Sequence, residues 1–214
     1  MDHALVDELA EPQRLALAHA RPGALEPILA VLALDARLAA FVRRGHEPLL
    51  AQVRIAWWRD RLGEPRAAWP KGDPLLAELT HWRAPDALLP LVDGWEGLLA
   101  ETLDVAAVEG FAAGRAAAFA ALAGELGASD PLAASAGRSW ALADLAGNLT
   151  DPTERETVLR VAATGGARLP SHRALRPLAI LGALGRRAIV HGGRPLLEGR
   201  GAALLAMRVG MFGR

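Results

Sequence analysis

Leu25-Glu26-Pro27-Ile28-Leu29-Ala30-Val31-Leu32-Ala33-Leu34-Asp35-Ala36-Arg37-Leu38-Ala39-Ala40-Phe41-Val42-Arg43-Arg44 decides how the chain is read. Ile28, Val31, Leu34, Leu38, Phe41 and Val42 recur at helical intervals, which places them along one face. Pro27 fits because the first turn of a helix makes no internal use of its N–H. The pattern predicts a helix over residues 25–44. No segment elsewhere alternates apolar and polar side chains as a half-buried strand would.

The same reasoning extends in both directions. Arg21-Pro22-Gly23 closes a preceding helix over residues 4–20, since proline restricts the residue before it and glycine tolerates the reversal. After Gly45-His46, Glu47-Pro48 opens a helix running to about residue 62, an acid and a proline both suiting a first turn. Residues 65–73 read as loop, followed by short helices over 74–82 and 86–102 and a long Ala-rich helix over 105–126. Asp130-Pro131 and Asp151-Pro152 then cap helices over 131–149 and 152–164. Beyond Gly165-Gly166, two last helices cover 172–190 and 199–211, divided by Gly192-Gly193 and Pro195. No repeat and no long linker appears, so the expected architecture is one all-α domain over residues 1–214, a many-helix bundle.

Composition narrows the chemistry. The chain is 52% hydrophobic but only 5% aromatic, and Ala and Leu, strong helix formers, supply most of that content. Basic and acidic residues balance at 24 each, so no global field favours nucleic acid, and no nucleic-acid partner is expected. The lack of cysteine removes disulfides, thiolate catalysis and Cys-ligated metals, and suits a reducing compartment. The first ten residues carry Asp2, Asp7 and Glu8 where a secretory leader carries Lys or Arg, so the expected location is cytoplasmic. Apolar stretches such as 28–34 meet charge well short of the roughly 20 residues of a spanning helix, so none is expected to cross a bilayer. The six histidines form no close metal-ligand pair, and Ser139 lacks the Gly-x-Ser-x-Gly setting of a nucleophile.

Three stretches carry chemistry together: Glu47-Pro48-Leu49-Leu50-Ala51-Gln52-Val53-Arg54-Ile55-Ala56-Trp57-Trp58-Arg59, then Ala136-Gly137-Arg138-Ser139-Trp140-Ala141-Leu142-Ala143-Asp144-Leu145-Ala146-Gly147-Asn148, then Leu175-Arg176-Pro177-Leu178. In this order and spacing they resemble the squalene/phytoene synthase family. The resemblance implies an all-α bundle of the isoprenoid (terpenoid) synthase type, in which Mg²⁺ holds prenyl diphosphates between two facing Asp-x-x-x-Asp helices. Carboxylates at i and i+4 share a helical face and present oxygens together to a hard cation, which neutralises the departing diphosphate.

On this chain the second motif falls at Asp144 and Asn148, so one acid is an amide. Asp144, Asn148 and Asp151 are the candidate Mg²⁺ ligands; the alternative makes Asp144 a polar residue bonded to an arginine and Asp151 a helix cap. Where the first motif is expected stand Ala39, Ala40 and Arg43, while Asp35 lies one turn too early and reads as a structural acid. Arg43 and Arg54, near the cavity mouth, are candidates for phosphate, joined by Trp58, Asp144 and Asn148 as substrate-binding residues. The ordinary reading of Trp57-Trp58 is packing, with Arg54, Arg59 and Arg61 solvated or stacked on the indoles.

Two functions follow from the resemblance. One is a non-catalytic relative acting as a binding or assembly protein, similar to the branch that includes a mitochondrial assembly factor for respiratory complex I, with a membrane-complex subunit as partner. The other is an active transferase condensing prenyl diphosphates head-to-head, with Mg²⁺ as cofactor. Residues 202–212, flanked by Arg200 and Arg214, are apolar enough for peripheral contact with the inner face of a membrane or with another protein, or for docking on the domain's own core.

Overall fold

The computed structural model describes residues 3–43, 48–128, 130–163 and 168–213. The quoted stretch forms helix α3, Leu25–Arg43, entered through a 3₁₀ turn at Pro22–Ala24. Its burial exceeds a single face: every residue from Ile28 to Asp35 is buried. A helix covered all round lies in the interior, and this one takes neighbours on several sides. They are α1 (His3–Asp7), α2 (Glu11–Leu17), α4 (Pro48–Gly63), α5 (Pro74–Leu79), α6 (Leu89–Gly97) and α7 (Val105–Glu125).

A second series of packed helices continues from α7 through α8 (Leu132–Asn148), α9 (Pro152–Ala162), α10 (Arg176–Val190) and α11 (Arg200–Phe212). Glycine sets the spacing at two crossings. A Cβ on Gly137 of α8 would stand 2.6 Å from the Arg115 carbonyl oxygen on α7, and one on Gly185 of α10 would stand 2.5 Å from the Ser139 carbonyl oxygen on α8. No larger residue allows either approach, and the α7–α8–α10 layer depends on both. One continuous set of buried side chains runs from Leu5 to Val209. The described residues contain no strand, and the protein is all-α.

Several boundaries differ from expectation. The helix expected over 4–20 is two, because Pro12 at the second position of α2 cannot donate into a helix continuing from α1. The Gln13 side chain closes the break by accepting the Ala10 N–H at 2.8 Å. The loop at 65–73 contains a 3₁₀ turn at Arg66–Ala68, and the segment expected over 86–102 begins as a 3₁₀ turn at Pro85–Leu88 and ends its α-helix at Gly97. The expected end at Arg44, the Gly45-His46 break, the Glu47 start, and Ser129, Thr164, Gly165-Gly166 and Arg214 lie outside the described residues.

One helix, Val105–Glu125, is long and apolar enough to cross a membrane by length and composition, contrary to the expectation that no stretch would be. It packs between α6 and α8 in the fold, and its central Arg115 is fully buried against two acids. Those contacts make it a core helix of the bundle.

Candidate functional site

Between Gly110 and Gly124, helix α7 has a single charged residue, Arg115. The 3.6-residue period puts it on the same buried face as Phe111, Ala118, Phe119 and Leu122, where the residue is 1% exposed. An isolated cation there would carry a desolvation cost of several kcal/mol, so its partners decide whether the helix can pack. The first is Asp35, the lone acid on the enclosed part of α3. Arg115 Nε donates to Asp35 Oδ1 at 2.8 Å and Nη2 donates to Oδ2 at 2.9 Å, a two-pronged pair. Nη2 also donates to Asp144 Oδ2 of α8 at 2.9 Å.

Four further residues complete the cluster. Trp95 of α6 donates its indole N–H to Asp35 Oδ1 at 2.8 Å, and Gln13 of α2 reaches Oδ2 at 3.5 Å. The guanidinium carbon lies 3.9 Å from the ring centroid of Trp140, 4.7 Å from that of Phe111 and 5.1 Å from that of Trp95. Weakly hydrated arginine suits this setting, because its plane stacks on aromatic faces while its edge serves carboxylates. Nη1 is buried with no hydrogen-bond partner among the described residues.

Burial pushes the Asp35 carboxyl above its ordinary value, and the charge and hydrogen bonds of Arg115 and the Trp95 N–H hold it back. Burial also works against the Arg115 cation, but Asp35 and Asp144 outweigh it and raise the guanidinium above its usual value. Arg115 is therefore a permanent positive charge at the junction of α3, α7 and α8.

Two clefts flank this junction. One, of about 220 Å³, is lined by residues including Gln13, Asp35, Ala39, Ala40, Arg43 and Asp144. The other, of about 230 Å³, is lined by residues including Val42, Arg43, Leu98, Leu145, Asn148 and Glu154. Asp144 and Arg43 belong to both walls, and Arg43 is exposed at the end of α3.

Of the residues singled out from sequence, the fold thus brings together Arg43, Asp144 and Asn148. The Asn148 amide nitrogen donates to the Asp144 backbone oxygen at 2.7 Å and to its Oδ1 at 3.3 Å. Asp151 stands apart: it caps α9, accepting the Thr153 and Glu154 N–H groups at 2.7 and 3.3 Å, and it is exposed. Arg54 and Trp58 lie elsewhere, in a groove of about 320 Å³ that also includes Arg37, Phe41, Val53 and Trp57. There Arg54 covers the Phe41 ring at 5.6 Å, while Trp58 is buried under Arg37 at 5.8 Å.

The side chains expected to hold Mg²⁺ do not fit that ion in this arrangement. Asp144 Oδ2 is taken by Arg115, Asn148 turns donor nitrogen toward Asp144 Oδ1, and the Asp151 carboxylate is engaged by backbone N–H groups. A hard cation needs several converging oxygens, and no group of three candidate ligands converges among the described residues.

Arg115, Trp95 and Gln13 were absent from the sequence-based site. The available signal was a solitary arginine in an Ala-rich helix and a solitary aspartate in an apolar one, two buried charges that need each other. Together the fold and the site define an all-α bundle with a guanidinium held between two acids at its centre. No known protein family, curated protein or solved structure matches the chain.

Proposed function

We propose that the protein is a non-catalytic relative of the squalene/phytoene synthases, of the isoprenoid synthase type in fold, serving as a binding or assembly protein similar to the respiratory complex I assembly branch. The observation that carries this reading is the position of Arg115. In the enzymes the resemblance implies, facing acidic helices share divalent cations, which take up charge on the leaving diphosphate. Here the acids of the two facing helices, Asp35 and Asp144, share a side chain of the protein itself. A guanidinium so placed permanently offsets one of their two charges and occupies the carboxylate oxygens that a shared metal would need.

The competing transferase reading is favoured by the clefts that persist beside Asp144, with Arg43 at their shared wall. Titration with farnesyl and geranylgeranyl diphosphate, with and without Mg²⁺, followed by product analysis, separates the two. The expected outcome is no metal-dependent binding and no condensed product. Mg²⁺-dependent turnover that is lost in Asp144→Ala would defeat the proposal. In the source organism, deleting the gene should lower complex I activity while leaving carotenoids and hopanoids unchanged, and an intact respiratory chain would count against the assembly role.

A further inference from the structure

Charge balances over the whole chain but not along it. Residues 168–214 contain nine arginines and one acid, Glu198, which leaves the preceding residues with the opposite excess. The fold gathers part of this basic charge in one place. Arg168, Arg186, Arg187 and Arg208, with His191, line a groove of about 630 Å³ between α10 and α11, and no Asp or Glu is among the described residues of its wall. Arg187 is tied to the Glu198 backbone oxygen at 3.1 Å. Arg186 is half-buried, and burial depresses its pKa with no carboxylate offsetting the effect. A desolvated cation without a counter-charge favours an anionic ligand.

Beside the groove, α11 has two apolar faces. The inner one, Ala202, Ala206 and Val209, is buried and packs toward α10 and α2. The outer one is exposed: Leu204, Met207 and Met211 recur at three- and four-residue intervals along it, Leu204 at 66% exposure, with Phe212 at its edge. Arg200 and Arg208 are exposed beside this stripe, and Val190 at the end of α10 is 82% exposed. The helix therefore docks on its own core and still presents a second apolar surface framed by arginines.

We infer that the α10–α11 face docks on an anionic phospholipid bilayer, the groove arginines meeting lipid phosphates and the outer stripe of α11 entering the interface. Independent observations meet here, a basic groove without acids and an exposed aliphatic stripe. Nucleic acid would satisfy the arginines but would gain nothing from Leu204, Met207 and Met211, whereas an interfacial helix uses both. The inference stands whether or not the central clefts take a ligand.

The test is co-sedimentation of the full chain with vesicles of phosphatidylcholine alone and of phosphatidylcholine mixed with phosphatidylglycerol. Binding should require the anionic lipid and weaken as salt rises. Each arginine near such a surface contributes roughly fivefold in affinity, so Arg168→Gln with Arg208→Gln should reduce binding by about 30-fold. Leu204→Ser with Met211→Ser should also reduce it, and because all four positions are exposed the melting curves should stay at wild type. Equal binding to neutral vesicles, no binding to anionic ones, or an arginine double variant that binds as wild type overturns the inference. So does anionic-vesicle binding that short RNA displaces and that the Leu204/Met211 variant retains in full.

Discussion

Arg115→Met deletes the central charge while keeping a long flexible side chain against Trp140, Phe111 and Trp95. Asp35, 2% exposed in its side chain, loses two donors at 2.8 and 2.9 Å. Asp144 loses one donor but is 19% exposed, so water replaces it at lower cost. Stranding one member of a buried pair costs about 3–5 kcal/mol. Loss of the cation's attraction to the rings, up to about 2 kcal/mol, is partly offset by sulfur–aromatic contacts of about 0.3–1.5 kcal/mol. The net expectation is a loss of about 4 kcal/mol. At about 2–4 °C per kcal/mol for a chain of this size, the melting temperature falls by roughly 10 °C. Urea unfolding and calorimetry on the variant measure both quantities.

Two controls make that number interpretable. Asp35→Asn combined with Arg115→Met removes the stranded charge and should recover more than half of the loss, since replacing both partners costs less than orphaning one. The pH dependence has a definite sign. Without Arg115, burial pushes the Asp35 carboxyl further above its ordinary value of 3.8. Such a group is protonated in both folded and unfolded states below that value and destabilises the fold increasingly as pH rises through the window up to its folded pKa. The deficit of Arg115→Met should therefore be smallest in acid and grow toward neutrality. A loss under about 1 kcal/mol, or a deficit that does not change with pH, would refute the claim that charge pairing at Arg115 holds the junction together.

The Gly137→Ala Cβ would stand 2.6 Å from the Arg115 carbonyl oxygen and 3.0 Å from the Phe119 ring, so thermal unfolding should show about 1–3 kcal/mol of destabilisation. Gly110→Ala, on the neighbouring helix α7 and with nothing within 4 Å of the added carbon, should stabilise by about 0.5–1 kcal/mol in the same assay. Asp151→Ala removes two capping hydrogen bonds and should cost about 0.5–2 kcal/mol in urea unfolding while leaving any cleft ligand's affinity unchanged. The Arg138 hydrogen bonds lower the Glu109 carboxyl below its ordinary value of 4.5; Glu109→Gln should lose a few tenths of a kcal/mol above that value, a difference that fades as pH falls through the folded pKa.

Helices were legible where period and punctuation agreed. The quoted stretch became α3 and Asp151-Pro152 began α9, because apolar spacing and a capping acid are local signals. The split between α1 and α2 was harder to see, since the expectation ran the helix through Pro12. Burial around α3 was less legible still, because apolar period shows one face and the covering of the others depends on distant helices. The site was half visible for the same reason. Asp144 and Asn148 share a helical face and could be paired on paper, whereas Arg115 meets Asp35 across 80 positions of sequence. Arg54 and Trp58 were assigned to the cleft through the family resemblance, but helix α4 orients them into another groove.

The chemistry left to the clefts follows from what the junction uses internally. Asp35 spends both oxygens on Arg115, with Trp95 adding a bond to one and Gln13 to the other, and Asp144 spends one on Arg115 while the Asn148 amide approaches the second. A cation entering from solvent would have to displace a guanidinium stacked on three rings, surrendering a two-pronged pair to gain one metal site. Arg43 has no such ties among the described residues: it is exposed and shared by both cleft walls, with Asp144 in both and Glu154 in one. The cleft thus offers a visitor the Arg43 guanidinium beside the carboxylates of Asp144 and Glu154, with Val42, Leu98, Leu145 and Leu149 along one wall. A group that uses Arg43 there must bring an apolar body to meet this wall and must tolerate the Glu154 carboxylate, a demand that involves no metal.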